Sequence, residues 1–140
     1  MKTILFIFLF SLNSAFAVKP AFIIYDSTNS GLPDNFVHDI AIEMGKSAWF
    51  GSNDGLSKLN FSTQTWITYN TSNPGILQNM VTAVEIKSDG DVWFGTRFIG
   101  LAKFDLSINR YDTSNSEIPS NHVTCLAVEN ESDVWIGTNK

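Results

Sequence analysis

Three tryptophans set the limits of what this chain can fold into. Trp49, Trp93 and Trp135 stand 44 and then 42 residues apart, each in the same surroundings. A glycine follows two positions on (Gly51, Gly95, Gly137), and a valine stands twelve positions before (Val37, Val81, Val123). Two residues before each valine is an asparagine (Asn35, Asn79, Asn121), and ten before that a tyrosine (Tyr25, Tyr69, Tyr111). A further asparagine follows each tyrosine by four (Asn29, Asn73, Asn115). Six positions in register across three copies define a repeat over 25–68, 69–110 and 111–140. Length changes between copies fall outside the apolar runs, where loops lie.

Each complete copy reads as four short strands. The first covers Val37 to Ile42, Val81 to Ile86 and Val123 to Val128, with apolar residues recurring at every second position. In the second, Ala48 to Gly51, Val92 to Gly95 and Val134 to Gly137, both faces are apolar, so these strands must be covered on two sides. Gly55 to Leu59 and Gly100 to Phe104 supply the third strand, and Thr65 to Tyr69 and Ile108 to Tyr111 the fourth. Asp89-Gly90 and Met44 to Ser47 are the turns between first and second strands. Loops rich in Asn, Ser and Pro follow each tyrosine. A repeat of about 40 to 45 residues with four strands is the pattern of radial blades, and stacked solenoid repeats are usually shorter. The expected fold is all-β: a β-propeller of four-stranded antiparallel blades, its ring incomplete.

The motifs of these copies resemble the two-component regulator propeller repeat. The likeness is carried by Asn29 to Val37 (NSGLPDNFV) and Asn115 to Val123 (NSEIPSNHV), and by Trp93-Phe94-Gly95-Thr96 and Trp135-Ile136-Gly137-Thr138. Gly55-Leu56-Ser57-Lys58-Leu59 and Gly100-Leu101-Ala102-Lys103-Phe104 complete it. The middle copy departs, with Pro74-Gly75-Ile76-Leu77 in place of Leu or Ile before Pro. The resemblance implies an exported propeller, often the extracytoplasmic sensor of a histidine kinase regulator and often responsive to carbohydrate.

Residues 1–17 are expected to be a secretory signal peptide, with Lys2, an apolar stretch from Ile4 to Leu12, and Ala15-Phe16-Ala17 as the cleavage site. That stretch is shorter than the ~20 residues a membrane span requires, so no membrane insertion is expected after cleavage. Residues 18–140 form the expected partial propeller, exported to the periplasm or the extracellular space. The third copy has no Gly-Leu strand after Trp135 and Gly137, whereas rings close with about 4 to 8 blades. The chain is therefore expected to hold about two and a half to three blades of a longer protein, with the remaining blades, or identical copies, completing the ring.

Charge narrows the partners. A net charge of −5 with no run of like sign argues against nucleic acid, which draws a basic face. One cysteine, Cys125, and two distant histidines, His38 and His122, offer no metal-ligand spacing and no disulfide, and no cofactor is expected. His38 and Asp39 are neighbours on one strand and point to opposite faces, so they do not form a catalytic pair. No catalytic residues are assigned. The three sequons, at Asn60, Asn70 and Asn130, are expected from composition alone.

The repeated residues are expected to be structural: Trp49, Trp93 and Trp135 in packing between blades, and Gly51, Gly95 and Gly137 where blades approach closely. Residues that break the repeat on the rim are the better candidates for binding. Arg97 and Phe98 lie in the longer loop of the middle copy, and His122 replaces the Phe36 and Met80 of the other copies. A cation beside an aromatic suits a carbohydrate or peptide ligand. Two further readings are a secreted structural or adhesive propeller contacting other proteins, and a propeller lyase whose His and Glu lie in other blades.

Overall fold

The computed structural model describes residues 22–72, 76, 78–104, 108–129 and 133–140, with the backbone of 5–8. All regular structure in them is β, and no helix is long and apolar enough to cross a membrane. The first blade is β3 (Val37–Glu43), β4 (Ser47–Ser52), β5 (Gly55–Asn60) and β6 (Trp66–Tyr69), antiparallel and in that order. The second is β7 (Val81–Ile86), β8 (Val92–Thr96), β9 (Leu101–Phe104) and β10 (Ile108–Tyr111). A third sheet has two strands, β11 (Val123–Val128) and β12 (Val134–Thr138). The ring is open.

Inner strands sit side by side, with β7 between β3 and β11. Each begins with the same bulge, after Val37, Val81 and Val123. Polar staples tie one inner strand to the next. Asp39 Oδ2 accepts from the Val84 backbone N–H at 2.9 Å, and Thr82 Oγ1 donates to the Val123 carbonyl at 2.6 Å. The glycine after each tryptophan has a steric role here. A Cβ at Gly51 would lie 2.9 Å from Val81 Cγ1, and one at Gly95 would overlap Val123 of the following inner strand. At Gly137 the nearest atom is instead Cys125 Sγ, within the same sheet.

The repeated asparagines hold the long loops. Asn35, Asn79 and Asn121 each accept, through Oδ1, the backbone N–H of Ser27, Thr71 and Thr113 at 2.7 to 2.9 Å. Asn29 and Asn115 each accept from the N–H of Asp26 and Asp112 and donate to the carbonyls of Ile24 and Arg110. Short amide side chains can close such turns without help from a ladder, which explains their fixed spacing.

Between blades 1 and 2 lies the main core: Trp49, Leu56, Val81, Val84, Phe94 and their neighbours. A second cluster of Leu32, Ala48, Phe50 and Leu59 covers the other face of blade 1, with Tyr25 and Trp66 against it. Thus β4 is buried along its whole length, as a strand apolar on both faces requires.

Two strands were not expected from the sequence. β2 (Phe22–Tyr25) ends on a tyrosine as β6 and β10 do, so it is a fourth strand by position. β1 (Leu5–Phe8), inside the expected signal peptide, pairs with it. Leu5 faces Tyr25 in the register that Leu56 keeps with Tyr69 and Leu101 with Tyr111. The expected cleavage site, Ala15-Phe16-Ala17, lies outside the described residues.

Candidate functional site

One rim of the sheets gathers the starts of the inner strands and the turns from second to third strands. The same backbone rung recurs there three times. Asn53 N–H donates to the Phe36 carbonyl at 3.3 Å, Arg97 N–H to Met80 at 3.2 Å and Asn139 N–H to His122 at 3.1 Å. Phe36, Met80 and His122 are therefore equivalent in space as well as in sequence.

Arg97 and Phe98 form one unit. The Arg97 guanidinium carbon lies 5.6 Å from the Phe98 ring centroid, and Phe98 is 62% exposed. Arg97 Nη1 also reaches Met80 Sδ at 3.8 Å. The turn that presents them is fixed from below: Thr96 Oγ1 donates to the Gly100 carbonyl and accepts from Ile99 N–H. Gly100, at φ +89°, adopts a conformation open mainly to glycine. Its N–H donates to the Asn121 carbonyl at 2.9 Å, which brings this loop to the residue before His122. No hydrogen bond joins His122 to Arg97 or Phe98 among the described residues.

Sequence reasoning missed a matching group on blade 1. Phe36 is half exposed, its ring 5.2 Å from that of His38, and His38 Nε2 lies 2.8 Å from Asn53 Oδ1. The equivalence of Phe36 with His122 was the signal available. His38 and Asp39 do point apart, toward Asn53 and toward Val84 respectively.

The three tryptophans differ. Trp49 is buried at 3% exposure, stacked on Tyr69 with ring centroids 5.9 Å apart, with Phe104 against its edge and Lys58 Nζ 4.9 Å from its centroid. No face is left for a sugar. Trp93 is half-buried and stacks on Tyr111 at 5.8 Å. Trp135 departs from the expected core packing. It is 64% exposed, because no sheet lies over it among the described residues, and its indole N–H donates to Glu129 Oε2 at 2.6 Å.

Toward the inner strands, the Glu85 carboxyl is pushed up by burial; a hydrogen bond to the Ile86 backbone opposes this and the nearby Asp39 charge adds to it. Among the described residues no group of three or more His, Cys, Asp and Glu is placed to hold a metal. The rim chemistry is that of aromatic faces, a guanidinium, imidazoles and amides.

Residues 117–140 match the Two component regulator propeller family. Those residues carry a two component regulator propeller repeat. This match begins in the loop before β11 and takes in both strands of the third sheet. Among solved structures, the chain resembles the extracellular domain of BT3049 from B. thetaiotaomicron, described as a hybrid two component system, with a TM-score of 0.69 and 20% identity over 84% of the chain. It also resembles the extracellular domain of BT4673 from the same organism, likewise described, with a TM-score of 0.62 and 21% identity over 74% of the chain. These likenesses establish the fold. The chain spans only 18% and 14% of those two solved extracellular domains. Among curated proteins none matches.

Proposed function

We propose that this chain serves as part of an exported, non-catalytic sensor of the two component regulator propeller kind, meeting its ligand on the rim that carries Arg97, Phe98 and His122. One observation carries the reading. Phe98, a large apolar ring, stands exposed under a guanidinium in the loop where the middle blade departs from its neighbour. Exposed aromatic rings gain by stacking on a sugar or a peptide side chain, and a guanidinium beside them supplies directed donors. Residues 1–17 act in this reading as the export signal, and the ligand is a carbohydrate or a peptide.

Arrayed oligosaccharides and short peptides test the proposal. Binding should fall by about tenfold or more with Phe98→Ala or Arg97→Ala, the usual effect of truncating a contact residue. Absence of any bound ligand, or binding indifferent to both substitutions, defeats it.

A further inference from the structure

The two arginines of the chain, Arg97 and Arg110, have different surroundings. Arg110 is neutralised locally, its Nη2 2.6 Å from Asp112 Oδ2. The Arg97 guanidinium is exposed, lies over Phe98 and against the Met80 sulfur, and has no carboxylate partner among the described residues. Carboxylates are not scarce, since the chain has 14 Asp and Glu against 9 Lys and Arg. Three aspartates lie in the segments that build this rim, and each is held by another donor. Asp34 accepts from the Phe36 N–H, Asp39 from the N–H groups of Ile40 and Val84, and Asp54 from the Asn79 side-chain amide at 3.3 Å. Asn79 precedes Met80 in the chain, so Asp54 is bonded beside the Arg97 contact without joining it. The arginine belongs to the middle blade, whose inner strand β7 has β3 on one side and β11 on the other.

We propose that Arg97 selects for an anionic group, a carboxylate or a sulfate ester, carried on a sugar ring of the ligand. This inference rests on the rim reading above and narrows it to acidic carbohydrates. A guanidinium presents a planar fork of N–H donors that can bind either group through two oxygens at once. The Phe98 ring, held in the same loop by the packing of Arg97 on it, offers the stacking surface for the face of that sugar. Stacking and ion pairing then act together on one ring of the ligand.

A sugar fits this rim better than a peptide does. Three rungs, from Asn53 to Phe36, Arg97 to Met80 and Asn139 to His122, already use backbone groups at the starts of the inner strands. An extended peptide that binds by adding a strand needs such groups unpaired. Recognition here falls to side chains.

The test measures the affinity of the full chain for matched pairs of probes. These are uronate oligosaccharides and their carboxyl-reduced forms, sulfated oligosaccharides and their desulfated forms, and peptides with free or amidated C-termini. An acidic sugar should bind about tenfold or more tightly than its neutral partner, the usual effect of a hydrogen bond to a charged group. That preference should shrink as salt rises. Arg97→Gln should abolish the preference while weaker binding of the neutral sugar, still lost with Phe98→Ala, persists. Arg97→Lys should retain part of it, because the charge stays and the fork is lost. Whichever sugar pair shows the difference tells carboxylate from sulfate. Equal binding within both sugar pairs overturns the inference and leaves the rim reading standing, whereas no sugar binding at all overturns the inference and the carbohydrate reading together. A preference that survives Arg97→Gln, or one confined to the free-acid peptides, also overturns it.

Discussion

Trp49 and Trp93 occupy the same place in successive blades, each laid against the tyrosine that ends its sheet, yet their seams differ. Around Trp49 the space is taken by Phe104 and Lys58, and the indole is buried. Around Trp93 part of the space is a cavity, and the indole is half-buried. The repeat supplies one wall of each seam, and the third strand of the following blade supplies the other. Burial of the tryptophan is therefore a property of two blades together. The same holds on the opposite face, where Ile40 of β3 is 37% exposed and its counterpart Val84 of β7 is 1% exposed.

The largest expected effect breaks this comparison directly. Trp49→Ala should destabilise the protein by about 3–5 kcal/mol, through lost transfer energy and the cavity left in a packed seam. Trp93→Ala should cost clearly less, because a cavity already borders that ring. Chemical denaturation of the two variants measures both, and equal losses would show that the second seam is as tightly packed as the first.

A smaller effect distinguishes the staples that cross the two seams. Asp39→Ala leaves the Val84 N–H without its partner and should cost about 1–3 kcal/mol, the range for an unsatisfied buried donor. Thr82→Val removes the bond to the Val123 carbonyl and should cost about 1 kcal/mol, since it deletes one neutral hydrogen bond. If Thr82→Val proved the more damaging, the open seam would depend on its staple more than the closed one does.

Much of this was readable from the chain. Strand positions followed from the apolar periods, and the expected starts and ends differ from those observed by one residue or less in blade 2. The fixed spacing of Asn35, Asn79 and Asn121 has its cause in side chains that accept backbone N–H bonds across the long loops. Equivalence in sequence misled where the environment differs: Trp135 holds the repeat position of Trp49, and among the described residues no sheet covers it. β2 escaped notice because four apolar residues have no alternation, and a run of that kind cannot be assigned from periodicity. The candidate rim was only partly visible. Arg97 and Phe98 stood out as a break in the repeat, whereas the Phe36–His38 group depends on a turn, at Asn53, fifteen residues beyond His38.

The smallest effect concerns the charges near the first seam. Asp39 faces β7 and holds the Val84 N–H, while Glu85 is the next residue on that strand. Burial raises the pKa of Glu85, and the Asp39 charge raises it further. A carboxyl with a folded pKa above its unfolded value binds its proton more tightly in the folded state. Its contribution to stability is then fully present below the unfolded pKa and is lost as pH rises through the raised folded value. At neutral pH the ionised Glu85 costs stability, so Glu85→Gln should stabilise the protein slightly there and flatten the pH dependence through the mildly acidic range. In an Asp39→Asn background the same substitution should gain less, because the neighbouring charge is gone. Denaturation midpoints of the four proteins across that range measure the coupling. Identical gains in both backgrounds would mean that burial alone raises the Glu85 pKa, with no share from across the seam.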